Sequence, residues 1–279
     1  MSAELLTLLA ALMAGGALAG FAAGLFGIGG GAVMVPIFAF VFTALGYPGA
    51  TIMHCAVATS SAVIIVSSIR SVRAHYARGA VDWDVLWPSP LYKSWGLWIG
   101  AGALLASGVL ARYISGRQLE LIFGAVMILI ALQFIFGRPD KTLRNSLPGG
   151  VALPSAGGAI GALSALMGIG GGAICVSLMV LCGRSIHRAI GTASGIGMFI
   201  SIPATAGFIL SGQGINGRPP LSLGYVSLPG FAAMAVMALI FVPLGAKTAH
   251  STPQKPLKII FGIFLLAVSL NMIRKAVSG

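Results

Sequence analysis

The pentapeptide Gly27-Ile28-Gly29-Gly30-Gly31 recurs as Gly168-Ile169-Gly170-Gly171-Gly172. Each copy follows a long apolar run and precedes a shorter one. Glycine costs about 1 kcal/mol per residue in a helix interior, so three in succession end a helix. Interruptions at corresponding points of two apolar halves are the sequence mark of a transporter site built from discontinuous helices.

The composition around these motifs is that of a membrane protein. Hydrophobic residues make up 57% of the 279-residue chain and charged residues 8%, with a mean hydropathy of +0.99. A soluble domain carries about 25% charged residues. The net charge of +12 raises the question of a nucleic-acid partner. No basic stripe with interleaved aromatics exists, and the Lys and Arg residues sit between apolar runs, where they set membrane topology. Nucleic acid is therefore excluded as a partner. Cys55, Cys175 and Cys182 lie in or beside apolar runs without CxxC spacing, so they read as buried hydrophobes, and no metal site is expected. No Lys or Arg precedes the first apolar run, which argues against a cleaved signal peptide.

Ten apolar segments follow, giving an all-α integral membrane fold. The first five are Leu5–Phe26, Ala32–Leu45, Ile52–Ile69, Trp95–Leu110 and Leu119–Phe136. The second five are Val151–Met167, Ala173–Cys182, Ala189–Leu210, Tyr225–Leu244 and Leu257–Ile273. The expected organisation is a first membrane repeat over 1–137, a polar linker over 138–150 and a second repeat over 151–279. Three ordered matches support the duplication. The glycine motifs stand 141 residues apart. His54-x-Ala56-Val57-Ala58-Thr59 matches His187-x-Ala189-Ile190-Gly191-Thr192 at 133 residues, and Ile122-Phe123-Gly124 matches Ile260-Phe261-Gly262.

Charge sets the orientation. With the N-terminus outside and each segment reversing the chain, 12 Lys and Arg residues face inward and 5 outward. Five segments per half is an odd number, so the second half enters the membrane upside down, an inverted-topology repeat. The ten residues of Ala173–Cys182 make about 15 Å of helix, half of a hydrocarbon core of roughly 30 Å. That segment is expected to start in mid-membrane. Whether the runs over 5–45 and 151–182 cross or return as hairpins stays open at this level.

A helix that starts inside the membrane exposes backbone N–H groups without intrahelical partners, at the positive end of its dipole. A small anion satisfies both. Gly29, Gly30, Gly31, Gly170, Gly171 and Gly172 are the expected cradle, because glycine lets an oxyanion reach the backbone. Tight helix packing is the competing use of the same glycines. Thr59, Ser60, Ser61, Thr192 and Ser194 lie at matching places in the third and eighth segments and offer neutral donors; bonding back to their own helix is the alternative. His54 and His187, matched across the repeat, are candidates for gating or proton relay, or simply interfacial residues. Arg184 and Arg188, close to the second half-helix, suit the inner mouth and serve equally as positive-inside charges. The acids Glu4, Asp82, Asp84, Glu120 and Asp140 all fall at segment ends or in loops. A carboxylate-coupled cation pump is thus disfavoured. No Ser-His-Asp, HExxH, Rossmann or P-loop pattern is present, so neither an enzyme nor a cofactor is expected.

At the glycine motifs the chain resembles the TauE/SafE family of sulfite and organosulfonate exporters. The likeness rests on Gly27–Pro36 with Ala56–Ser60, and on Gly168–Ser177 with Gly191–Ser194, and extends over nearly the whole chain. It implies a bacterial inner-membrane transporter of sulfite, sulfoacetate or a related sulfonate, in contact with lipid and open to self-association. The second copy departs from the first with Ser177 in place of the proline at Pro36, and with Ala193 where the first has Ser60. A membrane scaffold or assembly subunit whose glycines serve only packing is the reading from a different class, and a transporter of another small anion, such as a carboxylate, lies between the two.

Overall fold

The computed structural model describes residues 3–87, 90–137, 147–251 and 253–278. The linker residues Arg138, Asp140, Lys141 and Arg144 lie outside the described residues. All ten apolar segments are helices: α1 (Ala3–Phe26), α2 (Gly31–Ala44), α3 (Gly49–Tyr76), α5 (Trp95–Gly108), α6 (Gly116–Phe136), α7 (Ala152–Met167), α8 (Gly172–Leu181), α9 (Ile186–Ser211), α10 (Leu228–Ser251) and α11 (Gln254–Ser278). One further short helix, α4 (Trp83–Leu86), precedes α5, and a hairpin of β1 (Ser222–Leu223) and β2 (Val226–Ser227) precedes α10. Among the described residues, six helices are long and apolar enough to cross a membrane, while α2, α7 and α8 are shorter apolar helices.

Several boundaries differ from the sequence reading, two of them with a clear physical reason. α3 runs to Tyr76, so Arg70 and Arg73 ride on its last turns instead of in a loop. Its 28 residues span about 42 Å, more than the hydrocarbon core, which carries the two arginines beyond it. α10 starts at Leu228, because Tyr225 and Val226 are held in the hairpin.

The elements pack reciprocally. α1 lies along α10 of the other half, and α7 lies along α5. α2 rests on α3, and α8 rests on α9. α3 packs against α9, and α6 against α11. The close approach of α1 to α10 depends on small residues: a methyl on Gly24 would collide with Val242 O, and one on Gly20 would stand 2.7 Å from Ala238 Cα. At the α7–α5 contact a methyl on Gly161 would collide with Ile99 O. Such backbone-to-backbone packing is the means by which helices associate in lipid, where burial of apolar surface gives no drive.

Polar contacts sort the connections onto two faces. On one, Thr51 Oγ1 donates to Gly217 O at 2.9 Å, and Arg112 Nη2 donates to Leu210 O at 3.4 Å. This joins the start of α3, the end of α5 and the end of α9. On the other, the loop after α3 meets the start of α9, where Arg188 Nη1 lies 2.7 Å from Asp82 Oδ1. α3 and α9, buried along much of their length, form the central pair.

Candidate functional site

Both glycine motifs end one helix and start the next. Gly27, Gly29 and Gly30 have φ of 67°, 72° and 82°, and Gly168, Gly170 and Gly171 have 61°, 72° and 67°. Residues with a Cβ rarely adopt this left-handed conformation, so the chain reverses here only because glycine occupies these positions. Gly30 is the N-cap of α2 and Gly171 the N-cap of α8, and neither cap receives a side-chain hydrogen bond. The first amides of α2 and α8 therefore point out of their helices without intrahelical partners.

The two motifs cross backbone on backbone. A methyl on Gly31 would collide with Gly168 O and stand 2.6 Å from Ile169 Cα. A methyl on Gly172 would collide with Gly27 O and Ile28 Cα, the same contact read from the other side. Ile64 of α3, fully buried, seals the crossing, with its Cγ2 3.0 Å from the place of a Cβ on either Gly29 or Gly170. All six predicted cradle glycines thus meet in one place. Gly31 and Gly172 are held there by packing, leaving the caps Gly30 and Gly171 as the residues that shape the helix starts. On the α8 side, the space bounded by Ile130, Ser164, Met167, Ile169 and Gly171 is too narrow for water.

Not all the predicted hydroxyls turn toward the crossing. Ser60 does: its Oγ donates to Gly168 O at 2.8 Å, tying α3 to the second motif. Ser61 Oγ donates to Val57 O at 2.9 Å, and Ser194 Oγ donates to Ile190 O at 3.0 Å and pairs with Ser71 Oγ at 2.9 Å. Both bond back to the carbonyl four residues earlier, the local alternative such residues have in helices. Thr59 Oγ1 accepts from Ser227 N at 3.0 Å, and Thr192 Oγ1 accepts from Asp82 N at 2.9 Å. These threonines pin the segments leading into α10 and α4.

The histidines stand apart from the crossing, at opposite faces. His54 Nε2 lies 3.1 Å from Ala111 O and 3.0 Å from Ile114 O, so it carries the proton and donates. Its ring stacks on Tyr225 with centroids 5.1 Å apart, and burial pushes the Tyr225 phenol above the ordinary tyrosine range. His187 is exposed in the first turn of α9. Arg184 and Arg188 converge on one carboxylate, Asp82, with Nη1 atoms 3.5 Å from Oδ2 and 2.7 Å from Oδ1. The Asp82 side chain is 8% exposed and the two guanidinium groups are about half exposed.

Several site residues lie outside the sequence expectation. Asp82 is one. The α3 stripe of Ser67, Ser68, Ser71 and His75 continues the line of Ser60 and Ile64 toward the Asp82 face, and its spacing of three and four residues marks one helix face. Ser67 Oγ donates to Gly29 O at 3.0 Å, and His75 Nε2 lies 3.0 Å from Gly24 O. Ser164 of α7 is buried beside Gly171, and no motif marks it in the sequence.

The family model described as "Sulfite exporter TauE/SafE" matches residues 12–272. A probable membrane transporter protein of Haemophilus influenzae is 34% identical over 268 residues, covering 93% of this chain and 96% of that protein. A second, from Methanocaldococcus jannaschii, is 28% identical and covers 97% of each chain. No solved structure matches the chain. With the match running over residues 12–272 and so through both glycine motifs, the chain belongs to the TauE/SafE sulfite exporter family, whose members are membrane transporters and not enzymes.

Proposed function

We propose that this protein carries a small sulfur-containing anion, such as sulfite, sulfoacetate or a related organosulfonate, out across the bacterial inner membrane. The halves 1–137 and 151–279 act as inverted repeats, with the N-terminus outside, and rock about the crossing of the glycine motifs. The anion lies at the helix starts capped by Gly30 and Gly171. The observation that carries this reading is the meeting of two uncapped helix N-termini inside a membrane bundle. Free amides and two converging dipole ends in a low dielectric attract negative charge. Export needs no coupled cation, since a negative interior drives an anion outward by about 2.3 kcal/mol per charge per 100 mV. Arg184 and Arg188 serve the inner mouth, and His54 the outer.

The test is flux of sulfite and sulfoacetate from loaded liposomes. Gly30→Leu and Gly171→Leu place side chains where a left-handed backbone and packed neighbours leave no room. Both variants are expected to reduce flux at least tenfold. Unchanged flux in folded variants rules out the cradle. Packing at Gly31 and Gly172 favours a second reading, a scaffold, at those positions. A scaffold shows no anion-dependent rise in melting temperature and no flux.

A further inference from the structure

Ser60, Ser61, Ser67 and Ser194 already spend their hydroxyl protons on backbone carbonyls. Two other serines at the crossing do not. Ser164 is 1% exposed and Ser68 is fully buried, and neither Oγ has a hydrogen-bond partner among the described residues. Ser164 Oγ lies 2.8 Å from where a Cβ on Gly171 would stand, so it points at the N-cap of α8. Ser68 Oγ fills the space over Gly197, on the side where Gly170 O lies 3.7 Å from that position. Ser164 thus faces the start of a ten-residue helix, and Ser68 lies against Gly197 of α9, which neighbours Gly170 O.

We infer that Ser164 and Ser68, with the first amides of α8, form the anion's ligand set, and that the anion binds on the α8 side of the crossing. This rests on the anion-transport reading above. The argument is one of unmatched donors. Buried hydroxyls are nearly always hydrogen-bonded, and exceptions in a native structure call for a partner. Amides at a helix start are donors as well. Ser164 of α7 meets the start of α8 beside Ile200, and Ser68 of α3 lies one turn beyond Ile64, which covers Gly170. An acceptor with several oxygens completes such a site. Three donor sources match the three oxygens of a sulfite or –SO3 headgroup better than the two of a carboxylate. The α2 start is built differently. The place matching Ser164 in the first half is Ala23, and the atom facing the Gly30 cap is a carbonyl, Ala19 O, 2.5 Å from its Cβ position. A carbonyl oxygen repels an anion. The first motif thus supplies the packing partner, and the second supplies the ligands.

The test uses the full chain in nanodiscs, titrated calorimetrically with sulfite and with sulfoacetate, alongside melting of the protein without anion. Ser164→Ala and Ser68→Ala are each expected to raise Kd about tenfold, the worth of a hydrogen bond to a charged group. Ser164→Cys, which keeps size and a weak donor, is expected to fall between. The anion-free melting temperature should stay the same or rise, because an unmatched buried hydroxyl is removed. Ser107→Ala on α5, whose Oγ donates to Ala103 O at 2.7 Å, is the opposite control: it lowers the melting temperature and leaves Kd alone. Unchanged Kd in both serine variants, with a wild type that binds, overturns the ligand assignment and leaves anion transport standing. A melting temperature that falls together with affinity assigns the serines to structure and also overturns it. A wild type that binds neither probe removes the anion reading and the ligand set together.

Discussion

Ser60 shows how one hydroxyl links the two halves. Its hydrogen bond to Gly168 O holds the second glycine turn against α3. Ser60→Ala leaves that carbonyl without this donor, a loss of about 1 kcal/mol by the usual worth of such a bond. A fall of a few degrees in melting temperature is expected, and a variant as stable as the parent would mean that the bond is not formed. The matching position in the second half is Ala193, fully buried, and the atom matching Gly168 O is Gly27 O. Ala193→Ser is expected to add the reciprocal bond and raise the melting temperature; a fall would show that the two turns are not equivalent at this point. Asp82 shows the limit of reading residues one at a time. In sequence it is a loop acid like any other, yet it is buried against two arginines that stand more than 100 positions away.

At the scale of elements, the glycines of α1 set the distance to α10. Gly24 faces Val242 O so closely that a methyl has no space, and the obstacle is backbone. Gly24→Ala is expected to separate the helices and cost about 1–3 kcal/mol, as overpacking does. Gly46→Ala, with φ of 76° but open space around it, should cost about 1 kcal/mol, the price of a left-handed alanine. Thermal unfolding of the two variants in nanodiscs ranks them, and equal losses would show that α1 and α10 can move apart freely. The helices themselves were legible in the sequence, because lipid demands long apolar runs and the glycine motifs cut them at defined points. What was not legible depends on contacts between distant segments. α3 extends past its apolar stretch because Ser67, Ser68, Ser71 and His75 find buried partners or neighbours on α1, α9 and the motifs. The α10 start is moved by a hairpin whose strands are two residues each, too short to leave a periodic signal. Ser164 gains its importance only from facing Gly171. Of the five hydroxyls expected at the site, Ser61 and Ser194 satisfy their own helices, a choice that sequence alone does not decide.

For the molecule as a whole, the proposed rocking of the two halves requires that each face can open onto the crossing in turn. The two faces are closed by different chemistry. One is held by neutral contacts, with His54 on the carbonyls of Ala111 and Ile114, Tyr225 stacked on His54, and Thr51 on Gly217. The other is held by charge, with Asp82 between Arg184 and Arg188 and its backbone amide on Thr192. The charged face closes over the end of the bundle where α8 and α9 connect. On the proposed anion-transport reading, an anion arriving there would meet two guanidinium groups already paired, and would displace Asp82 from them because it offers the same oxygen chemistry. Asp82→Asn removes the internal competitor and weakens the closure. Breaking a fully buried pair costs about 3–5 kcal/mol. Here the arginines are half exposed, so solvent screening reduces the effect to about 1–2 kcal/mol. That shift corresponds to roughly a tenfold gain in the population open to this face. Cys175 provides the readout, since it lies in the first turns of α8, is 2% exposed and sits just beyond the Gly171 cap. In a Cys55→Ala, Cys182→Ala background, a small charged thiol reagent applied from this side should modify Cys175 about ten times faster when Asp82 is asparagine. Saturating sulfite should slow that reaction by closing the site around the anion. An equal rate with aspartate and asparagine at position 82 would mean that the ion-pair cluster only anchors the loop after α3, and that the opening motion at this face is controlled elsewhere.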